Sequence, residues 1–322
     1  MSTVTISGTL ILKGDLICDG DINVTHTGKI IPVPTDEAVE APYNPDTLAY
    51  VWTNGRGSTV RSLNGDVNIF GSIDGEGRGY GWGQGPGANN DIQDASGNSI
   101  YGFGATHAGL GAPPDDQTVS PNPVYGSYLA PTSLGSGSTA TYGGSAVKLE
   151  AMSGSVSMNG LINMNGQDGT SVPTGGGSGG SVWLKGWDLD GTGSITANGG
   201  NADGTFGGGA GGYVSLWYQR SNNSTMALSA DGLKNAGDGK TFIKQIDPIL
   251  EDRFTGHVLN TKWWQGVNGP YFLDSSVFMD TTNDFVNPEV RSNFTVSGNE
   301  ITVDVDHIPI PTEPHFYSAD LS

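Results

Sequence analysis

The sequence predicts an all-β protein: an irregular, loop-rich parallel β-solenoid over residues 1–246, followed by a partial β-sandwich over 247–322. Three observations predict it. Apolar and polar residues alternate around a recurring glycine, the pattern of short strands with one buried face. No segment carries a sustained apolar stripe at i, i+3, i+4 and i+7, so helices are not expected. Glycine crowds the middle of the chain, with six residues in 1–64, 39 in 65–212 and seven beyond.

The strand copies can be read in order. The first is Val4, Ile6, Gly8, Leu10, Leu12, and the second Leu16, Cys18, Gly20, Ile22, Val24. A third is Val67, Ile69, Gly71, Ile73, Gly75, and a fourth Val156, Met158, Gly160, Ile162, Met164. Weaker copies are Val147-x-Leu149-x-Ala151, Val182-x-Leu184-x-Gly186 and Val214-x-Leu216-x-Tyr218. The central glycine marks a bend, bulge or corner. Ile6, Leu10, Ile22, Ile69, Ile73, Met158, Ile162 and Leu184 are expected to face inward. The spacings are uneven: 12 residues between the first two copies, then 9, 26 and 32 from Val147 through Val156 and Val182 to Val214. That implies coils interrupted by loops. A β-sandwich would also alternate and stays open as an alternative.

The 322 residues include 14 Lys+Arg and 33 Asp+Glu, a net charge of −19. Such a chain repels nucleic-acid phosphates and anionic membrane surfaces. No run of 18 apolar residues occurs, so membrane insertion is not expected. Gly plus Pro is 69 of 322 (52 + 17), below the low-complexity range, and seven Trp, eleven Tyr and ten Phe can fill a core. Cys18 is the single cysteine, which excludes an intramolecular disulfide; its inward position predicts an inert buried thiol. The start, MSTVTISGTLILKGD, lacks a basic region followed by a long apolar run, so no secretory leader is expected.

Two stretches resemble known families. Gly179-Gly180-Ser181-Val182-Trp183-Leu184 and Gly193-Ser194-Ile195-Thr196-Ala197-Asn198-Gly199-Gly200 are similar to the glycine-rich right-handed parallel β-helix of phage virion proteins such as tail fibres and tailspikes. Residues 144–217 carry that likeness. Asp252-Arg253-Phe254-Thr255-Gly256-His257-Val258-Leu259-Asn260-Thr261-Lys262-Trp263 resembles the opening of a concanavalin A-like β-sandwich of laminarinase or lectin type. Glu300–Asp306 alternates like a further strand, and Tyr317–Ser322 resembles another of that fold. The likeness stops at Ser322, so the sandwich reads as incomplete. That family's Glu-x-Asp-x-Glu catalytic strand is absent, since Glu300, Asp304 and Asp306 have the wrong spacing.

The glycine clusters at 75–87, 175–180 and 199–212 read as long loops crossing the surface. The alternative is polyglycine-like extended helices packed side by side, resembling some phage tail-tip adhesins. Glycine at every second position in 75–87 does not match a three-residue repeat.

Candidate chemistry is sparse. Tyr80, Trp82, Tyr101, Phe103, Tyr125 and Tyr128 could stack on sugar rings; the competing reading is packing beneath loops or between subunits. Asp188-Leu-Asp190-Gly191 resembles part of a calcium loop but lacks the later Glu, and an Asp-Gly turn explains it equally. Asp19-Gly-Asp21 is similar. His26, His107, His257, His307 and His315 lack metal-ligand spacing and read as surface or loop residues. Asp74 and Glu76, Asp115 and Asp116, or Asp203 could supply a glycosidase carboxyl pair.

Together these readings predict a non-catalytic structural or host-attachment component of a bacteriophage particle: tail fibre, tailspike, baseplate or head fibre. It would be made in the host cytoplasm and incorporated into the virion, with no cofactor. Expected partners are its own copies, as a homotrimer, other virion proteins and a host surface glycan. The alternatives are a virion-associated polysaccharide depolymerase, or a bacterial surface adhesin or matrix protein.

Overall fold

The computed structural model describes residues 2–34, 43–44, 49–50, 56–89, 96–97, 102–170, 174–246, 265–266, 269–270, 293–297 and 300–304. The described residues contain no helix and form an all-β structure with parallel sheets. The chain divides into two compact units, Met1–Ile246 and Asp247–Ser322.

In the first unit the strands begin with β1 (Val4–Ile6), β2 (Thr9–Lys13), β3 (Asp15–Cys18), β4 (Ile22–Val24) and β5 (Lys29–Val33). A short antiparallel pair follows, β6 (Tyr43–Asn44) with β7 (Ala49–Tyr50). Next come β8 (Ser58–Ser62), β9 (Val67–Ile69), β10 (Ser72–Asp74), β11 (Ala146–Ala151), β12 (Ser155–Met158) and β13 (Leu161–Asn163). The unit ends with β14 (Ser181–Asp190), β15 (Ser194–Thr196), β16 (Tyr213–Asn222), β17 (Ala227–Ser229) and β18 (Lys240–Gln245). In the second unit β19 (Gln265–Gly266) pairs antiparallel with β20 (Gly269–Pro270), and β21 (Asn293–Ser297) with β22 (Glu300–Asp304). The strand expected from Glu300 is therefore present through Asp304. The sequence resemblances at 252–263 and 317–322 lie outside the described residues.

One six-stranded sheet runs β2-β5-β10-β13-β15-β17, every neighbour parallel. The ten-stranded sheet has two arms joined at the long strand β14. The first half of β14 continues β3-β8-β11, and its second half continues β1-β4-β9-β12. Against β16 the register of β14 shifts between Gly186 and Asp188, close to where β14 passes from one arm to the other. β16 and then β18 extend the sheet beyond β14.

Register aligns like with like. Leu10, Ile30, Ile73, Ile162, Ile195 and Leu228 are Cα partners in succession across one sheet. Leu16, Val60, Leu149, Leu184, Leu216 and Ile243 do the same across the other. Apart from Ile243, which is exposed on the edge strand β18, these residues form or pack against one continuous aliphatic core. Seven of the eight residues expected inward are buried, and Leu10 is half-buried against that core. Parallel in-register pairing puts each branched side chain on its counterpart, and each buried Leu, Ile or Val contributes roughly 1.5–3 kcal/mol. Cys18 is buried and unpaired, as its inward position predicts.

The glycine clusters correct an expectation. Of the three clusters, 76–84 and 201–206 are mostly exposed or half-buried as expected, but 175–180 and 207–212, with 102–109 and 134–138 beside them, are buried and do not lie over the surface as loops. Their backbones hydrogen-bond to one another with a period of three. From 207 to 212 the successive N–H groups donate to the carbonyls of Gly102, Lys234, Gly200, Ala105, Gly237 and Ala197. Every third residue therefore addresses the same neighbouring segment. Likewise Gly176 and Gly179 donate to Gly207 and Ala210, and Gly177 and Gly180 to Gln167 and Met164. A strand would alternate between two directions, whereas three is the period of polyproline II geometry. This is the polyglycine-like arrangement, and it tolerates no side chain at its contacts. A Cβ on Gly209 would lie 1.9 Å from the Gly177 carbonyl oxygen, and one on Gly179 equally close to that of Ala197.

Candidate functional site

The outward face of β8, β11, β14, β16 and β18 gathers cations and aromatic rings. Its origin is the strand alternation. Val147 and Leu149, Val182 and Leu184, and Val214 and Leu216 turn inward, so Lys148 and Glu150, Trp183 and Lys185, and Ser215 and Trp217 turn outward. Register sets them in rows. Arg61, Glu150, Lys185, Trp217 and Lys244 are successive partners, and so are Thr59, Lys148, Trp183, Ser215 and Phe242.

Glu150 is the centre of the first row. Its carboxylate accepts from Arg61 Nε at 2.7 Å and Lys148 Nζ at 2.8 Å, and Lys185 Nζ lies 3.1 Å away. Burial opposes ionisation of Glu150, but the hydrogen bonds and charges of Lys148 and Lys185 outweigh it and hold its pKa at about 2. Burial pushes Lys148 below the usual lysine range, and Glu150 resists that shift.

The rings add a second layer. Trp183 and Trp217 meet edge to face with centroids 5.3 Å apart. Lys148 Nζ sits 4.4 Å over the Trp183 ring, Lys244 Nζ 5.7 Å over Trp217, and Lys240 Nζ 5.4 Å over Tyr128. All lie within cation–π range. The indole N–H groups of Trp183 and Trp217 have no acceptor among the described residues. On β14, Arg220 covers the Trp187 ring at 5.0 Å and pairs with Asp188.

The sequence-predicted aromatic residues are not brought together. Tyr80 is 3% exposed beside Leu134 and Ala146, and Phe103 is fully buried, so neither offers a ring face to a sugar. Tyr125 is held by its own hydroxyl, which bonds to the Leu134 carbonyl at 2.7 Å and to Ser136 Oγ at 2.8 Å. Trp82 is 60% exposed and leans on Tyr142 at 6.2 Å. Tyr128 is also exposed; it packs edge-on against Phe242 at 5.0 Å and so borders the cationic face. Tyr101 lies outside the described residues. The Tyr80 ring packs against Gly85, where a Cβ would lie 2.6 Å from it.

Four of the remaining carboxylate candidates have protein partners. Asp188 accepts from Arg220 and from Ser221 Oγ, the latter at 2.8 Å, and Asp190 Oδ1 accepts the Gly191 N–H at 2.7 Å. Gly191 has φ +114°, which marks an Asp-Gly turn at the end of β14. Among the described residues no group of three metal-ligating side chains converges. Asp74 pairs with Lys29 at 2.6 Å, and Glu76 accepts from Asn163 Nδ2 at 2.7 Å. His107 is not at the surface as expected but fully buried, between Tyr125 and Tyr213. His26 is exposed beside Phe70, and the other three histidines lie outside the described residues.

Sequence reasoning missed the cationic face because it followed the inward positions. The signal was in the same copies: aligning Val147-x-Leu149, Val182-x-Leu184 and Val214-x-Leu216 stacks Lys148, Trp183 and Ser215 between them. The chain was compared with protein-family models, curated proteins and solved structures, and none matches.

Proposed function

We propose that the chain is a non-catalytic structural and host-attachment component of a bacteriophage particle, and that it holds a host surface glycan. One observation carries the reading: a row of half-buried tryptophans flanked by basic side chains on the outward side of a parallel sheet. Rings presented by paired strands are already ordered, so a sugar can stack on them at little entropic cost. The stacked parallel registers support a finer fold, a loop-rich β-solenoid followed by the start of a concanavalin A-like β-sandwich. The polyglycine-type bundle adds a likeness to phage tail-tip adhesins. Tail fibre, tailspike, baseplate and head fibre are the positions considered, with copies associating as a trimer and contacting other virion proteins.

The non-catalytic part rests on the carboxylates. A glycosidase needs two carboxyls with distinct protonation states facing one bond. Asp74 and Glu76 are instead engaged by Lys29 and Asn163.

Mass spectrometry of purified phage particles tests the assignment, with the chain expected among the particle proteins. Incubation with intact bacterial envelope glycan is expected to release no oligosaccharide. Release that disappears in Asp74→Asn or Glu76→Gln would promote the depolymerase reading. Recovery from bacterial surfaces and not from particles would promote the bacterial adhesin.

A further inference from the structure

The charge of the outward face runs against that of the chain. Strands β8, β11, β14, β16 and β18 carry six basic residues (Arg61, Lys148, Lys185, Arg220, Lys240 and Lys244) and three acidic ones (Glu150, Asp188 and Asp190). Their formal sum is 6 − 3 = +3, in a chain of −19. Nearly half of the 14 basic residues therefore stand on one sheet. A purely structural role for Glu150 needs one or two cations, yet three converge on it.

We infer that this face binds a carboxylated polysaccharide, its sugar rings lying on Trp183 and Trp217 and its carboxylates meeting Lys185, Lys244 and Arg61. The inference rests on the glycan-attachment reading above and names the class of glycan. Three features select a carboxylate. Glu150 is a resident carboxylate whose two oxygens draw on Arg61, Lys148 and Lys185, so the geometry that recognises this group already exists. Those donors are not exhausted by Glu150, since an ammonium has three N–H bonds and a guanidinium five. The side chains of Arg61 and Lys185 are each 33% exposed, against 6% for Glu150, so the cations are more accessible than the anion they share.

The rings add length. Trp183 and Trp187 are four residues apart on β14, a span of roughly 13 Å at ~3.3 Å per residue. Trp217 stands on the adjacent strand, partnered with Lys185. That spacing suits a polymer crossing the face better than a single sugar. The net charge of −19 opposes distant approach, but its field is screened beyond about 8 Å at physiological salt, where the local cations take over.

The test is affinity electrophoresis and titration calorimetry of the full chain with polygalacturonate, polyglucuronate and polysialate. Carboxyl-reduced polygalacturonate, which keeps the rings and loses the charge, is the control. Retention by at least one carboxylated polymer is expected, at least tenfold weaker after carboxyl reduction and weakened by added salt. The double variant Lys185→Gln/Lys244→Gln should lose about tenfold, and Trp217→Phe should lose less than Trp217→Ala. Melting temperatures would show that the variants fold. Equal retention of native and reduced polymers, abolished by Trp217→Ala, would overturn the carboxylate inference and leave glycan attachment standing. Failure to retain any carboxylated polymer overturns the inference as well. If the carboxyl-reduced and other neutral glycans also fail, the attachment reading falls with it.

Discussion

The imidazole Nδ1 of His107 lies 2.6 Å from the carbonyl oxygen of Gly179. A carbonyl can only accept, so Nδ1 carries the proton, and Nε2 is left buried with no partner among the described residues. The histidine is thus tied, in its neutral form, to the backbone of the glycine bundle.

Burial lowers the His107 pKa to about 4 from 6.5, against a smaller opposing effect of the Gly179 bond. A depressed folded pKa gives stability that is fully present above the unfolded value near 6.5. It is lost as pH falls toward 4. The expected loss is up to about 3 kcal/mol, read as a falling melting temperature between pH 7 and 4. In His107→Asn the amide keeps a donor for Gly179 and cannot titrate. The same pH slope in that variant would show that another group is responsible.

Glu150 titrates lower. Its pKa of about 2 lies below the ordinary glutamate value of 4.5, so its contribution is present above 4.5 and lost as pH falls through 2. The contribution is up to about 3 kcal/mol. Glu150→Gln should lower stability at pH 7 by a similar amount, because Arg61, Lys148 and Lys185 are left facing one another. Urea denaturation at pH 7 measures it, and an unchanged midpoint would contradict the central role given to this carboxylate.

Gly209→Ala places a Cβ 1.9 Å from the Gly177 carbonyl oxygen, and its nearest neighbours are all backbone atoms of Gly176 and Gly177, so nothing flexible can yield. A loss of about 3 kcal/mol or more is expected, at the upper end of overpacking costs. Gly8→Ala meets nothing within 4 Å and should change stability little. Thermal melts of the two variants side by side give the comparison. Equal tolerance would mean the bundle is not packed as described.

Association is the last expectation. Trp82 is 60% exposed, and Ile11, on the edge strand β2, is 68% exposed. Rings and aliphatic groups of this size on a surface favour burial against another copy. Light scattering at micromolar concentration should give a mass above that of one subunit, with three copies the expected number. A monomer in which Trp82 fluorescence stays fully quenchable would refute it.

The alternation around glycine was enough to identify the aliphatic core. Ile6, Ile22, Ile69, Ile73 and Ile162 are inward because successive Cβ atoms of a strand point to opposite sides, a property each segment carries alone. Strand identity was legible for the same reason. The glycine bundle was not. Its three-residue period belongs to hydrogen bonds between separate segments, such as Gly207 with Gly102 and Gly208 with Lys234. No run of sequence contains that period.

The candidate face divides along the same line. Local spacing determined that Lys148, Trp183, Lys185 and Trp217 point away from the core. Tertiary structure alone decided that they share a surface, since Arg61 reaches Glu150 across 89 residues and only parallel register aligns the strands between. It also decided that Tyr80 and Phe103 fill space inside, while Trp82 and Tyr128 remain outside. Composition marks all four as aromatic. Which of them meets solvent depends on where the intervening loops close, and loop closure is set by the whole fold and not by neighbouring residues.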